Sequence, residues 1–336
     1  MKAGFLGRIA AGVALAGATI TSAQARETGI EAVFDSTLGT EIRVPRDYEP
    51  DFRSPLEQRI AELADGARGR IGVAAIDLVT GEEVSILGDQ RFPMASTSKI
   101  AIAATFLEGV DQGRWKLSDR FPLMVPVASR AFSSEKAPVR PGTVLSASQL
   151  LELMLTRSSN TATDGLLAVV GGPSAVNDWA TRAGIPNFQL TRDIATLVRD
   201  DGEIDPAVQV DVRDSTTPRA MTKMLVGLYQ GKWLSRSSRN LLIGIMEKCR
   251  TGVRRIPALL PDGVTVAHKT GSLNNTSSDV GIVTGADGHA IAVSIYVTGQ
   301  GSRPGRESKI AHIARALYEG YTEPAVQLVN ATYTAK

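Results

Sequence analysis

Residues 92–100 read Phe-Pro-Met-Ala-Ser-Thr-Ser-Lys-Ile, and the interpretation of the whole chain depends on this stretch. Pro93 favours the start of a helix, which would leave Ser96 in its first turn and Lys99 three residues later on the same face. The unpaired N–H groups and the dipole of a helix start favour negative charge. A serine hydroxyl becomes a nucleophile when a neighbouring base or cation takes or stabilises its proton, and Lys99 can do either. The pair predicts a nucleophilic serine, although the same spacing also occurs as a solvated pair on many helices.

Two further short motifs follow in the sequence. Ser158-Ser159-Asn160 lies at a junction between two predicted helices, and Lys269-Thr270-Gly271-Ser272 lies on the first of three predicted late strands. Three such motifs in one chain make a chance occurrence of the first one a poor explanation.

The distribution of helices and strands predicts the fold class. Pro55–Ala64 reads as a helix, and Ile71–Leu78 with Glu83–Leu87 reads as a β-hairpin. Apolar residues at spacings of three and four predict five helices in the middle of the chain: Ser96–Gly109, Ser146–Thr156, Asn160–Val170, Thr217–Gln230 and Ser235–Glu247. Strands return at Val264–His268, Val280–Thr284 and Ala290–Val297, before a last helix at Arg306–Gly320. We therefore predict an α+β protein, with one antiparallel sheet built from both chain ends and flanked by helices, plus an all-helical lobe.

Ser-x-x-Lys, Ser-x-Asn and Lys-Thr-Gly, in this order and setting, are the three elements of the penicillin-recognising serine hydrolases. The predicted fold is also the fold of that superfamily, and the resemblance runs from about Ser54 to Gly320. Within the superfamily the chain resembles the class A β-lactamases. Residues 92–97 are typical of class A, and residues 213–218 resemble the segment that closes its Ω loop.

The resemblance implies a role for each residue of the acylation machinery. Ser96 would attack the lactam carbonyl and hold the acyl group, and Lys99 would accept or relay its proton. Ser158 would pass a proton to the departing ring nitrogen. The backbone N–H groups of Ser96 and Ser272 would form the oxyanion hole.

The remaining motif residues would bind the substrate. Asn160 would hold the amide of the substrate's side chain, and Lys269 and Thr270 would bind its carboxylate. Gly271 would let the substrate approach the strand closely. Arg255 falls where some class A enzymes place a carboxylate-binding arginine, although a solvated arginine on a loop is an equal alternative.

The Ω loop departs from the class A pattern of Glu-x-x-Leu-Asn, whose Glu and Asn hold the water that hydrolyses the acyl-enzyme. This chain has Arg-Asp-Asp-Gly-Glu-Ile-Asp at residues 199–205. An ungapped count back from Asp214 puts Asp201 at the Glu position and Asp205 at the Asn position. A shift of two residues would make Glu203 the base instead of Asp201.

The first 25 residues have the pattern of a secretory signal peptide. Lys2 and Arg8 precede an apolar run that ends at Ile20, and Ala23-Gln24-Ala25 offers a cleavage site. The run is too short to span a membrane stably, so we expect a secreted, periplasmic protein that is not inserted in the membrane after cleavage. The rest divides into an N-terminal extension at 26–53, a β-lactamase-like catalytic domain at 54–320 and a C-terminal tail at 321–336.

Charge and composition argue against other classes of partner. The chain has 37 Lys and Arg against 35 Asp and Glu, a net charge of +2, and the predicted signal holds two of the basic residues and no acidic one. The mature chain is therefore neutral, which argues against nucleic-acid binding. One cysteine, Cys249, and three scattered histidines give no disulfide and no metal-ligand cluster, so we expect neither metal nor cofactor.

The sequence thus predicts a monomeric serine β-lactamase that hydrolyses the β-lactam amide through an acyl-enzyme on Ser96, with slow deacylation because of the altered Ω loop. Two alternatives remain open at this point. A periplasmic DD-peptidase or esterase would use the same centre on another substrate. A penicillin-binding protein would be acylated in the same way and would release the acyl group slowly.

Overall fold

The computed structural model describes residues 52–66 and 68–322. The predicted signal peptide, most of the N-terminal extension and most of the C-terminal tail lie outside the described residues. No helix in these two ranges combines the length and the hydrophobicity needed to cross a bilayer.

The described part contains nine strands and nine α-helices. The strands are β1 Ile71–Asp77, β2 Glu83–Ile86, β3 Phe92–Pro93, β4 Arg120–Pro126, β5 Val139–Ser146, β6 Ser215–Thr216, β7 Thr265–Leu273, β8 Thr276–Thr284 and β9 Ala290–Thr298. The helices are α1 Pro55–Ala64, α2 Lys99–Asp111, α3 Ala147–Thr156, α4 Asn160–Val170, α5 Gly172–Arg182, α6 Ile194–Arg199, α7 Pro218–Tyr229, α8 Arg236–Met246 and α9 Arg303–Thr322. Two short 3₁₀ helices lie at Ala95–Ser98 and Ile256–Leu259.

The predicted antiparallel sheet is confirmed. Five strands lie in the order β2-β1-β9-β8-β7, so that the first strand of the chain pairs directly with the last. Ile71 lies opposite Val297 and Asp77 lies opposite Ile291. Every residue of β9 is buried, because this apolar strand is central in the sheet and covered on both faces. The join between β1 and β9 brings the two ends of the described chain together.

Helices cover both faces of the sheet and create two hydrophobic cores. On one face, Ile60 of α1 and Leu317 of α9 pack with Ile295 of β9. On the other face, Tyr296 of β9 shares a core with the middle helices, including Trp179 of α5. The predicted terminal helices and helical lobe are therefore present, and the lobe packs on the sheet face opposite to the terminal helices.

Three elements of the helical lobe were not expected from the sequence. A separate hairpin of β4 and β5 lies beside α4, and its strands pair only with each other. Helix α5 follows α4 directly, because Gly171 takes a left-handed conformation (φ 105°) that ends one helix and begins the next. Helix α6 is short and carries the segment before the predicted Ω-loop carboxylates.

Candidate active site

Ser96 lies in a tight turn in front of α2. The turn is a 3₁₀ helix, and α2 itself begins only at Lys99, three residues later than predicted. Ala95 has a φ of 47°, a conformation that costs energy for a residue with a side chain and that recurs at functional sites. The Thr97 hydroxyl donates to the Met94 carbonyl at 2.8 Å, and the Ser98 hydroxyl donates to the Ala95 carbonyl at 2.9 Å. These bonds fix the backbone on both sides of Ser96.

Lys99 is fully buried and points toward the start of α4. Its Nζ donates to the Ser158 carbonyl at 2.8 Å, to Ser158 Oγ at 3.1 Å and to Asn160 Oδ1 at 2.8 Å. The first and second motifs of the sequence therefore meet in the structure. Because Asn160 Oδ1 faces Lys99, its amide NH₂ group remains available for another acceptor.

Ser158 connects the second motif with the third. Its hydroxyl also accepts a bond from Lys269 Nζ at 3.0 Å, so that one oxygen lies between two lysine ammonium groups. Ser158 has a φ of 56°, and the following Ser159 caps α4 by accepting from Ala162 N at 3.3 Å. The strained residue is thus held by the helix that starts immediately after it.

Strand β7 passes directly beside the Ser96 turn. A Cβ atom built on Gly271 would lie only 2.7 Å from the Met94 carbonyl oxygen and would also meet Ser278 Oγ on β8. Glycine is needed here because two pieces of the protein meet, which is a different reason from the predicted approach of substrate. Next to it, the hydroxyls of Thr270 and Thr251 share a hydrogen bond of 2.7 Å.

Burial in this cluster lowers the pKa of both lysines and so shifts them toward their neutral forms. Burial, and then the charge of Lys269, hold the pKa of Lys99 well below its ordinary value. Burial lowers the pKa of Lys269 to about 8. Neither ammonium group forms an ion pair within 4 Å with a carboxylate of the described residues. The site is therefore a buried basic pocket that can take up a proton or an anion.

Arg255, the predicted carboxylate-binding arginine, is only 1% exposed. One guanidinium nitrogen donates to the carbonyl oxygens of Gly271 and Ser278, at 2.8 and 2.7 Å. The other donates to Ser272 Oγ at 2.7 Å and pairs with Glu307 at 3.1 Å. The alternative of a solvated arginine is wrong, because the side chain lies beneath the end of β7. That Arg255 helps to bind a substrate carboxylate stays a prediction. In this geometry Arg255 would act through the Ser272 hydroxyl, to which it donates a hydrogen bond.

The predicted Ω-loop carboxylates have partners of their own. Both oxygens of Asp201 accept from the Asn274 backbone N–H, at 3.1 and 2.9 Å. Glu203 pairs with Arg213 at 2.6 Å, and Asp205 accepts from the Asn275 side chain at 2.8 Å. The contacts of Asp201 and Asp205 lie at the turn after β7, whereas that of Glu203 lies within the loop itself. None of them joins Asp201, Glu203 or Asp205 to Ser96, Lys99 or Ser158, and the role of Asp201 or Glu203 as a base stays a prediction.

Asp164 was not singled out from the sequence, yet it holds α6 against the site. Its two oxygens accept from Ile194 N at 2.7 Å and Ala195 N at 2.8 Å. Burial raises the pKa of Asp164 to about 6, and Lys99 is one of the charges that act on it. The sequence could have indicated Asp164, because it lies four residues after Asn160 and therefore on the same face of α4.

An ion pair between Arg192 and Asp214 fixes the loop that contains α6. Arg192 lies just before the helix, and its Nε binds Asp214 Oδ2 at 2.6 Å. The backbone N–H groups of Thr191 and Arg192 donate to the other oxygen of Asp214. This pair closes the loop 193–213 at its base. The count back from Asp214 could not take this ion pair into account, because the count used only the C-terminal end of the loop as its reference.

Cys249 lies in a polar environment. It follows α8, is partly exposed, and its Sγ lies 3.3 Å from Thr251 Oγ1. Burial alone would raise the pKa of its thiol, but a hydrogen bond with His268 and the neighbouring Thr251 lower it to about 7. His268 in turn binds the Asp279 carboxylate at 2.9 Å.

Among residues 52–66 and 68–322, no three His, Cys, Asp or Glu side chains are grouped so that they could hold a metal ion. The chemistry available at the site is that of hydroxyl, amine and amide groups.

Comparisons with known proteins agree with this geometry. Residues 55–321 match the model of the beta-lactamase enzyme family. The chain is 29% identical to extended-spectrum beta-lactamase PER-1 of Pseudomonas aeruginosa (81% of this chain, 89% of the relative) and 32% identical to a beta-lactamase of Citrobacter koseri (79% and 88%). It is similar to the structure of an ancestral (GNCA) class A beta-lactamase, with a TM-score of 0.69 and 33% identity over 79% of this chain and 99% of that one. The chain therefore belongs to the beta-lactamase enzyme family and is a hydrolase of its class A group.

Proposed function

We propose that the protein is a serine β-lactamase that acts through an acyl-enzyme on Ser96 and deacylates slowly. It would be exported to the periplasm by the predicted signal peptide and would act there as a monomer. The observation that carries the proposal is the position of Ser158 Oγ, 3.1 Å from Lys99 Nζ and 3.0 Å from Lys269 Nζ, beside the turn that holds Ser96.

Acylation follows from these contacts. The Ser96 hydroxyl would add to the lactam carbonyl while neutral Lys99 takes its proton, directly or through a water molecule. The ring C–N bond would then break as Ser158 gives its proton to the nitrogen. Lys99 Nζ is within hydrogen-bond distance of Ser158 Oγ and can restore the proton to it. All atoms of the β-lactam stay on the enzyme, because the leaving nitrogen remains tethered through the opened ring.

Substrate binding would use the remaining polar groups. The NH₂ group of Asn160 would hold the carbonyl of the substrate's side-chain amide, since its oxygen is occupied by Lys99. Lys269 and Thr270 would bind the substrate carboxylate. The Ser272 hydroxyl accepts from Arg255, which leaves its own proton to donate toward the same carboxylate. The backbone N–H groups of Ser96 and Ser272 would stabilise the oxyanion.

Deacylation is the weaker half of the cycle in this proposal. A base must take a proton from the attacking water, and removal of such a base costs roughly 10²–10⁴-fold. Asp201 is the proposed base and Glu203 the alternative, but both carboxylates have other partners. This observation also favours a second candidate function, a penicillin-binding protein that is acylated and releases the acyl group slowly.

The test is hydrolysis of a chromogenic cephalosporin by the purified mature protein, followed by intact mass after exposure to a penicillin. We expect hydrolysis, and an adduct of the whole penicillin mass on Ser96. Ser96→Ala should remove both, whereas Cys249→Ala should keep both. An adduct on another residue, or none at high penicillin concentration, would overturn the proposal. A stable adduct without turnover would identify the penicillin-binding protein instead.

A further inference from the structure

A cavity of about 370 Å³ lies beside Asn160. Asn160 belongs to the catalytic cluster through its bond to Lys99, so the cavity borders the proposed site of acylation. Ile194, Ala195 and Val198 of α6 form one wall of the cavity. The polar side chains in its lining are those of Asn160, Ser129 and Arg199, and no aspartate or glutamate lines it.

The wall contributed by α6 is fixed in place. The Asp164 carboxylate holds the N–H groups of Ile194 and Ala195, one on each oxygen. The Thr196 hydroxyl accepts from Ala137 N at 2.8 Å, which ties the next turn of α6 to the start of β5. Asp164 itself cannot turn toward the cavity without breaking both of its bonds to α6. On this wall a water molecule in the cavity would therefore contact the hydrocarbon side chains of α6.

The acidic residues that follow α6 point elsewhere. Asp200 pairs with Arg199 at 2.7 Å and accepts from Phe132 N at 3.0 Å. Asp201, Glu203 and Asp205 have the partners at the turn after β7 and at Arg213 described above. Each of these carboxylates is thus already bonded: Asp200 to Arg199 of the cavity wall, and the other three to groups outside the cavity.

We infer that Ile194 and Val198 set the lifetime of the acyl-enzyme, because they place hydrocarbon where a carboxylate could otherwise accept the proton of the attacking water. The inference rests on the proposed acyl-enzyme at Ser96. In hydrolysis, the water oxygen bonds to the acyl carbon, the bond from that carbon to Ser96 Oγ breaks, and Oγ takes a proton. The proton lost by the water needs an acceptor, which neither an isobutyl nor an isopropyl side chain supplies. No carboxylate in the lining of this cavity can therefore take that proton.

The experiment adds a carboxylate to this wall in the full-length mature protein. The variants are Ile194→Glu and Val198→Glu, with Ile194→Gln as the control of equal size and no charge. Val208→Glu, at a side chain that is 85% exposed and outside the cavity, controls for added surface charge. Val198 is 51% exposed and tolerates a charge better than the buried Ile194, so one glutamate variant remains informative if the other fails to fold. Each protein is acylated with benzylpenicillin, freed of excess drug and followed by intact mass.

We expect at least one glutamate variant to lose its acyl group roughly a hundred- to a thousandfold faster than the original protein, a range within the usual contribution of a positioned base. Ile194→Gln and Val208→Glu should release it at the original rate. Release at the original rate by both folded glutamate variants would overturn the inference, as would equal acceleration by Ile194→Gln, which would point to water access rather than a base. If no variant is acylated, and the original protein is not, the proposed function fails instead.

Discussion

Gly271 lies at a point of β7 where the structure leaves no space for a side chain. In Gly271→Ala the new Cβ would start 2.7 Å from the Met94 carbonyl oxygen. Carbon and oxygen in close contact are about 3.3–3.6 Å apart, so β7 and the Ser96 turn must separate by about 0.6 Å or more. A misplacement of 1 Å costs roughly 100-fold in rate, which makes a loss of about ten- to a hundredfold in acylation the expected effect. Overpacking should also destabilise the fold by roughly 1–3 kcal/mol.

The assay measures the rate at which a penicillin adds to Ser96, from stopped samples by intact mass, together with urea unfolding. The matched control is Gly244→Ala in α8, where a built Cβ meets nothing within 4 Å. This change should leave acylation unaltered and should stabilise the helix by up to about 1 kcal/mol. If Gly271→Ala is acylated at the original rate, β7 does not position the oxyanion hole against the serine in the way argued from this contact.

Three further experiments test the pKa of Lys99, the Arg255–Glu307 ion pair and the pKa of Cys249. The lowered pKa of Lys99 predicts that the acylation rate reaches its plateau below the ordinary lysine range, and a rate that still rises near about pH 10 would contradict it. Glu307→Ala leaves the buried Arg255 without its carboxylate and should cost roughly 3–5 kcal/mol in urea unfolding, whereas a cost below about 1 kcal/mol would mean that the pair is not desolvated. Alkylation of Cys249 by iodoacetamide should rise with pH about a midpoint near 7, because the thiolate is the reactive form. In His268→Asn the midpoint should move toward about 8.5, and an unchanged midpoint would remove His268 as the cause.

Local signals in the sequence were sufficient for the main elements. Helix α4 has the predicted bounds because Ser159 caps its start and Gly171 ends it in a left-handed conformation. Strand β9 was recognisable as a buried apolar run. The β4–β5 hairpin was missed because its strands are only half buried, contain prolines at 122, 126 and 141, and show no clean alternation.

The cluster formed by the three motifs was predictable for the same reason, whereas the loop after α6 was not. Ser96, Lys99, Ser158 and Lys269 are adjacent to the turns and strand that position them, so short motifs identify them. The loop is closed by an ion pair between residues 192 and 214, and a count along the chain cannot detect how many residues lie within such a closure. If Leu197 is taken as the leucine of Glu-x-x-Leu-Asn, the motif aligns with residues 194–198. In this alignment Ile194 stands at the Glu position and Val198 at the Asn position.

The direct pairing of β1 with β9 has a consequence for how activity is acquired. Ser96 lies early in the chain, but Lys269 and the strand edge beside the serine are synthesised more than 170 residues later. The sheet cannot close until Val297 has been synthesised and can pair with Ile71. Pairing between residues so far apart in the sequence is a slow event in folding. A chain cut short before β7 has the serine without Lys269, which is one of the two ammonium groups bonded to Ser158. Completion of the C-terminal strands and the onset of reactivity toward β-lactams should therefore coincide, and an unfinished chain would not be consumed by the drug.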